Sequence, residues 1–191
     1  MEHFYQSIGE DWFDFQDIYT RMVDISTDDS HFVEVGGWKG RSTSYLAVEI
    51  LNSNKRIKFD CVDTWAGSKE HLNPSHWAYV EELEDDKDWL YFQFIKNTRP
   101  VGEIINPIRT TSLNASSLYS NRSLDFVYID ASHEYDDIIK DLHAWYPKIK
   151  KGGFIGGHDY GNGSPGVKQA VDEFFNGDFK LSNCSFLHKK I

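Results

Sequence analysis

Four short apolar runs in this chain end on groups that can bind ions or move protons. Asp130 closes one run, with His133 three residues beyond it, and His158 and Asp159 close a later, glycine-rich run. Two carboxylates and an imidazole suit a hard or borderline divalent cation that keeps positions open for further oxygen ligands. A cation held there would orient a hydroxyl and lower its pKa. The same residue types also have plainer uses. Asp130 could be a cap or turn residue, and His158 a hydrogen-bonded histidine or a base working without metal. Earlier in the chain, Glu34 and Val35 lead into Gly36-Gly37-Trp38-Lys39-Gly40, and Asp63 ends the next apolar run. The glycines supply turn conformations and close backbone approach. The free N–H groups of the helix start that follows are a site for an anionic group, with Ser42 the expected cap.

Those groups need strands and helices to place them. Residues 32–35, 57–62, 104–108, 124–129 and 152–157 read as strands, and 179–183 with 185–189 as a closing pair of short ones. Between them, 41–51, 134–146 and a segment opening at Ser164-Pro165 carry apolar residues at helical spacing. Ser112 to Ala115 fits a turn into a short helix, and residues 10–25 read as an amphipathic helix ahead of the first strand. Alternating strand and helix predicts a doubly wound, mostly parallel sheet with helices on both faces. Residues 66–98 break the alternation. They hold dense aromatics around an acidic run, and an insertion after a strand's carboxyl end lies over the ligand crevice. A partly helical cap is therefore expected there, with His71 and His76 on its surface or lining a pocket. The bland alternative is that its aromatics simply pack the cap onto the domain.

With 191 residues, 40% apolar and 15% aromatic, the chain fits one ordered domain. Acidic residues outnumber basic ones 30 to 20, a net charge of −10, which disfavours nucleic acid or an anionic membrane as partner. The lysines at 148, 150 and 151 follow a helix end, where cations are favoured anyway. The first residues lack a basic and an apolar signal region, and no apolar run is long enough to span a bilayer. Cys61 and Cys184 are expected to be reduced, and the cytosol is the expected compartment.

The glycine spacing decides between cofactors. A dinucleotide fingerprint, G-x-G-x-x-G, would place Trp38 where its second glycine belongs, so a nicotinamide-dependent reductase does not fit. Glu34-x-Gly36-x-x-x-Gly40 with Asp63 resembles motif I and the following strand-end acid of class I S-adenosylmethionine-dependent methyltransferases. The stretches Phe126-Val-Tyr-Ile-Asp-Ala-Ser-His-Glu-Tyr135 and Gly152-Gly-Phe-Ile-Gly-Gly-His-Asp-Tyr160 are similar to small O-methyltransferases of that class, some of them magnesium-dependent. The resemblance covers residues 30–191. It implies a Rossmann-like fold, with Glu34, Gly36, Gly37 and Gly40 at the methionine end of S-adenosylmethionine and Asp63 on the ribose. Ser42, Trp65 and Ser112 are further cofactor candidates. It also implies His133 as general base, beside Asp130 and His158, and Asp130, His158 and Asp159 as ligands to Mg²⁺ or another divalent cation. Relatives that bind metal carry an acidic pair where His158-Asp159 stands. The expected partner is a small hydroxylated acceptor such as a sugar or glycoside, with a homo-oligomer conceivable. The rival reading is a cofactor-binding regulatory or partner module on the same fold, without transferase activity.

Overall fold

The computed structural model describes residues 1–10, 12–161 and 163–191. At its centre is β1 (His31–Val35), whose residues alternate between the two faces of the sheet. Phe32 joins one core, while Val33 and Val35 join the other. The same alternation runs through β4 (Leu124–Ile129), with Phe126 and Tyr128 on the first side and Val127 and Ile129 on the second. β1 pairs in parallel with β4 on one edge and with β2 (Lys58–Asp63) on the other. β3 (Ile105–Arg109), β5 (Ile149–Gly157), β6 (Lys180–Ser182) and β7 (Ser185–Lys189) complete a sheet of order β3-β2-β1-β4-β5-β7-β6 among the described residues. Only the pairings of β7, with β5 and with β6, are antiparallel. Strand order reverses between β1 and β4, the place where open α/β sheets take their ligands, outside the strands' carboxyl ends.

Helices cover both faces, as the alternation of elements required. α1 (Gln16–Ile25), α2 (Arg41–Ser53) and α4 (Trp89–Thr98) pack on the Phe32 side, and α6 (Tyr135–Trp145) and α7 (Pro165–Phe175) on the Val33 side. Two short helices, α3 (Glu82–Asp85) and α5 (Ser112–Ser116), lie in the β2–β3 and β3–β4 connections. Among the described residues no helix is long and apolar enough to cross a membrane.

Three expectations need correction. The N-terminal helix starts at Gln16 rather than residue 10. Ahead of it, Phe13 and Phe15 are buried while Trp12 faces out, a period of two that belongs to an extended strap; Asp11 lies outside the described residues. α2 is capped by Gly40, at φ +89, so Ser42 is a first-turn residue and not the cap. Within 66–98, only residues 66–88 stand as a cap. Leu90, Phe94 and Thr98 recur at four-residue spacing and are buried, which makes α4 a crossover helix packed on α2.

Candidate active site

The turn after β1 is built from backbone constraints. Gly36 sits at φ +98, and a Cβ there would lie 1.8 Å from the Asp130 carbonyl oxygen at the end of β4. Only glycine lets the two strand ends come this close. Asp63 braces the turn from the end of β2. Its Oδ2 accepts from the amides of Gly37 and Trp38, both at 2.9 Å, and its Oδ1 from that of Trp65 at 2.8 Å. Burial pushes the Asp63 carboxyl up, and these amides pull the other way. Trp38 itself is held at φ +44, an uncommon conformation for so bulky a residue.

Glu34 lies beneath the turn, fully enclosed. Its Oε1 accepts from the Tyr19 hydroxyl at 2.8 Å and from Ser42 Oγ at 2.7 Å, and its Oε2 accepts from the Thr43 hydroxyl. Burial raises its pKa to about 6 against the pull of those three donors. The expected direct hold of Glu34 on the methionine end is therefore replaced by a structural one: the carboxylate ties α1 and the first turn of α2 to β1. Ser42 is engaged in the same knot. Trp65 is 0% exposed, donates its indole N–H to the Trp38 carbonyl and packs on Tyr91 and Phe94, so it supports the turn from inside the core. Ser112, expected at the cofactor, instead ties α5 to α6. Its hydroxyl donates to Asp141 at 2.6 Å and accepts from the Trp145 indole at 2.8 Å. Of the cofactor candidates, Gly36 and Asp63 stand at the strand ends, while Gly37 and Gly40 are buried against Cys61, Phe94 and Thr98.

Beside the turn, Asp130 ends β4, and His158 and Asp159 follow β5. One ligand atom from each lies within 4.8 Å of the others. His158 Nδ1 is 3.4 Å from Asp159 Oδ2 and 3.7 Å from Asp130 Oδ1, while its Nε2 is 2.9 Å from Asp14 Oδ1 in the N-terminal strap. His133 Nε2 is 2.9 Å from Asp159 Oδ2, and its Nδ1 is 3.6 Å from Glu70 of the cap. Asp159 has φ +61, so the backbone is held in an unfavoured region where the cluster converges.

Charge is concentrated here. Burial lifts the Asp130 carboxyl to about 6, against the attraction of His158. Burial opposes the charged form of His158, but the Asp159 hydrogen bond and the Asp130 and Asp159 charges outweigh it and bring the pKa to about 9. The Asp159 hydrogen bond likewise raises His133 to about 9. Burial works against ionised Asp159, yet the two histidines hold its carboxyl far below the usual range. This pairing favours the protonated form of His133, which weighs against the general-base role expected from the sequence. The sequence brought Asp130, His158 and Asp159 together correctly. It offered no sign of Asp14 or Glu70, whose pairing with the cluster depends on tertiary placement of a strap and a cap.

The donor set is two carboxylates and one imidazole whose Nδ1 faces both. The other imidazole nitrogen is oriented by the Asp14 carboxylate, a common arrangement around metal-binding histidines. A proton on Nδ1 occupies the position where a cation would place its charge.

The sequence model of a family described as a methyltransferase domain matches residues 33–160, from β1 through the residues that follow β5. An uncharacterised protein of Acanthamoeba polyphaga mimivirus is 29% identical over 160 residues, which takes in 76% of this chain. The chain spans 59% of that relative's length. Among solved structures, the O-methyltransferase NovP is similar with a TM-score of 0.63 at 17% identity, over 92% of this chain and 78% of that one. The apo structure of CalS11, a TDP-rhamnose 3'-O-methyltransferase of calicheamicin biosynthesis, gives 0.58 at 17% identity, over 91% and 76%. At these identities the likeness to the solved structures is one of fold.

Proposed function

The chain is a member of the methyltransferase-domain family, and we propose that it transfers the methyl group of S-adenosylmethionine to a hydroxyl oxygen of a small acceptor such as a sugar, with a divalent cation at Asp130, His158 and Asp159. The convergence of those three side chains beside the glycine turn carries the oxygen-methylation reading. When bound, S-adenosylmethionine supplies an electrophilic methyl on a sulfonium, and the cation supplies polarisation of the acceptor hydroxyl.

The chain's own residues do the rest. The Gly36–Gly40 turn, braced by Asp63, would present its backbone to the cofactor at the switch between β1 and β4. Asp63, held in place by the amides of Gly37, Trp38 and Trp65, is the acid that would accept from a ribose hydroxyl. Asp130 and Asp159 place negative charge beside the acceptor hydroxyl, and Asp14 orients His158 so that Nδ1 faces them. The Asp130 carboxylate, which no hydrogen bond reaches among the described residues, would take the hydroxyl's proton. His133, paired with Asp159 and Glu70, holds the cap to the cluster. Alignment of acceptor oxygen, methyl carbon and sulfur is the larger part of such a reaction, because the sulfonium is already reactive.

Titration calorimetry with S-adenosylhomocysteine, with and without Mg²⁺, tests the reading, followed by methyl transfer to a sugar panel. Binding in the micromolar range (about −8 kcal/mol) and magnesium-dependent transfer to oxygen are expected. No binding of S-adenosylhomocysteine would remove the assignment. Binding with full transfer in chelator would remove the cation's part in it.

A further inference from the structure

A cavity of about 220 Å³ opens between the N-terminal strap, the glycine turn and the cap. Trp12, Trp38 and Trp77 form its walls, with Tyr79 and Glu10 at its edge. Trp12 lies 6.1 Å from Trp38 and meets Trp77 edge to face at 5.9 Å. Trp77 is 80% exposed and Trp12 42%, so neither is there to fill a core. Indoles clustered around an open space on a surface mark a binding site rather than packing.

The charges around the cavity narrow what it takes. Glu10 Oε1 is 2.6 Å from Lys39 Nζ, and its Oε2 accepts from the Trp38 indole at 3.1 Å. The lysine also stands 5.5 Å from the Trp38 ring, so the cation-binding face and the carboxylate already share one positive charge. A methylated ammonium ligand would find the carboxylate and the Trp38 face already engaged by Lys39. A phosphorylated ligand fares no better. Lys39, the lysine beside the cavity, is already neutralised by Glu10, and the acidic run 81–88 begins directly after Val80. Glu84 of that run stands close enough to the Tyr79 hydroxyl to raise its pKa. What remains favourable is a neutral ring that offers C–H groups to indole faces and hydroxyls to a carboxylate. Glu10 has about two acceptor positions left for such hydroxyls.

We propose that the Trp12–Trp38–Trp77 cavity binds the ring of an uncharged saccharide, and that the methyl acceptor is a neutral glycoside rather than a nucleotide-linked sugar. The second half of this rests on the methyl-transfer reading above. The apolar face of a pyranose lies against the negative face of an indole, and weak C–H contacts of this kind add to its burial. Location agrees with the assignment. Trp38 belongs to the glycine turn and stacks on His71 at 4.1 Å, and the neighbouring Glu70 pairs with His133 of the cluster. The cavity and the cluster therefore flank the same cap turn, and a saccharide seated on the tryptophans has the cluster beside it.

The test is tryptophan fluorescence and saturation-transfer NMR with methyl pyranosides, short neutral oligosaccharides and nucleoside diphosphate sugars. Each is titrated with and without S-adenosylhomocysteine into the full chain. Neutral saccharides are expected to quench the tryptophans and bind, and nucleoside diphosphate sugars to bind more weakly. Trp77→Ala and Trp12→Ala should each weaken saccharide binding about tenfold, with Trp77→Tyr recovering most of it and affinity for S-adenosylhomocysteine unchanged. Tighter binding of the nucleotide sugars, or saccharide binding indifferent to both alanine variants, would overturn the proposal. Failure of S-adenosylhomocysteine to bind would strike the methyl-transfer reading instead, and the saccharide titrations made without it would still judge the cavity.

Discussion

Acids end the strands on both sides of the crevice, but the two sides treat them differently. At β1 and β2, Glu34 accepts from three hydroxyls and Asp63 from three backbone amides. At β4 and after β5, Asp130 and Asp159 face histidines, and the nearest partner of the Asp130 carboxylate is His158 Nδ1 at 3.7 Å. Among the described residues no hydrogen bond reaches that carboxylate. Yet burial raises Glu34 and Asp130 alike, each to about 6. What separates them is the compensation: fixed neutral donors in one case, mobile charge in the other. A carboxylate satisfied by neutral donors holds a fold together. One balanced only by a protonated imidazole can exchange that proton for another cation.

The two sides touch at Gly36, so the most damaging substitution is there. In Gly36→Ala the added methyl would meet the Asp130 carbonyl at 1.8 Å in a backbone conformation that alanine resists. A loss of about 4 kcal/mol or more is expected from the combined clash and strain, measured by urea denaturation. A variant of near wild-type stability would mean that the two sides are not in rigid contact.

The next pair separates the roles directly. Asp130→Asn should lower cation affinity about 100-fold, as loss of a ligand does, and leave S-adenosylhomocysteine binding intact. Asp63→Asn should cost about 2 kcal/mol of stability, because its amide nitrogen must oppose at least one backbone N–H, and should weaken cofactor binding. Calorimetry with Mg²⁺ and with S-adenosylhomocysteine on both variants reads the affinities, and urea denaturation reads the stability of Asp63→Asn. If Asp63→Asn instead lost cation binding, or Asp130→Asn lost the cofactor, the division between the two sides would fail.

How far the sequence disclosed this arrangement depends on whether the signal was local. The apolar runs, the glycine turn and the acids at strand ends are features of adjacent residues, and the order of strands and helices followed from them. The convergence of Asp130 with His158-Asp159 was legible too, because parallel strands joined by helices put their carboxyl ends on one edge. Hydrogen-bond satisfaction was not. Nothing near Glu34 in sequence announces the Tyr19 hydroxyl, and nothing near His158 announces Asp14, 144 positions away. Trp65 and Ser112 were placed at the cofactor for the same reason: their positions in the chain suited it, while their indole and hydroxyl groups had partners that only packing reveals. The strap shows a different error. Trp12, Phe13, Phe15 and Ile18 were compatible with a helical face, but Phe13 and Phe15 are buried two residues apart, and that shorter period decided the structure.

The smallest effect concerns pH and distinguishes a satisfied buried acid from an unperturbed one. Burial raises the Glu34 pKa to about 6, from the 4.5 of an ordinary glutamate. Below pH 4.5 it is neutral in folded and unfolded chains, and its contribution is fully present. Between pH 4.5 and 6 the unfolded chain ionises first and is favoured, so stability is lost as pH rises through that window. The expected loss is about 2 kcal/mol. Glu34→Gln carries no ionisable group there, and whatever constant offset its amide introduces does not change with pH. The difference in unfolding free energy between wild type and Glu34→Gln, measured by urea denaturation at steps from pH 4 to 7, should therefore fall across the window and level off above it. A flat difference would mean that the hydroxyls of Tyr19, Ser42 and Thr43 fully offset the burial of the charge, so that Glu34 titrates in the folded chain as it does in the unfolded one.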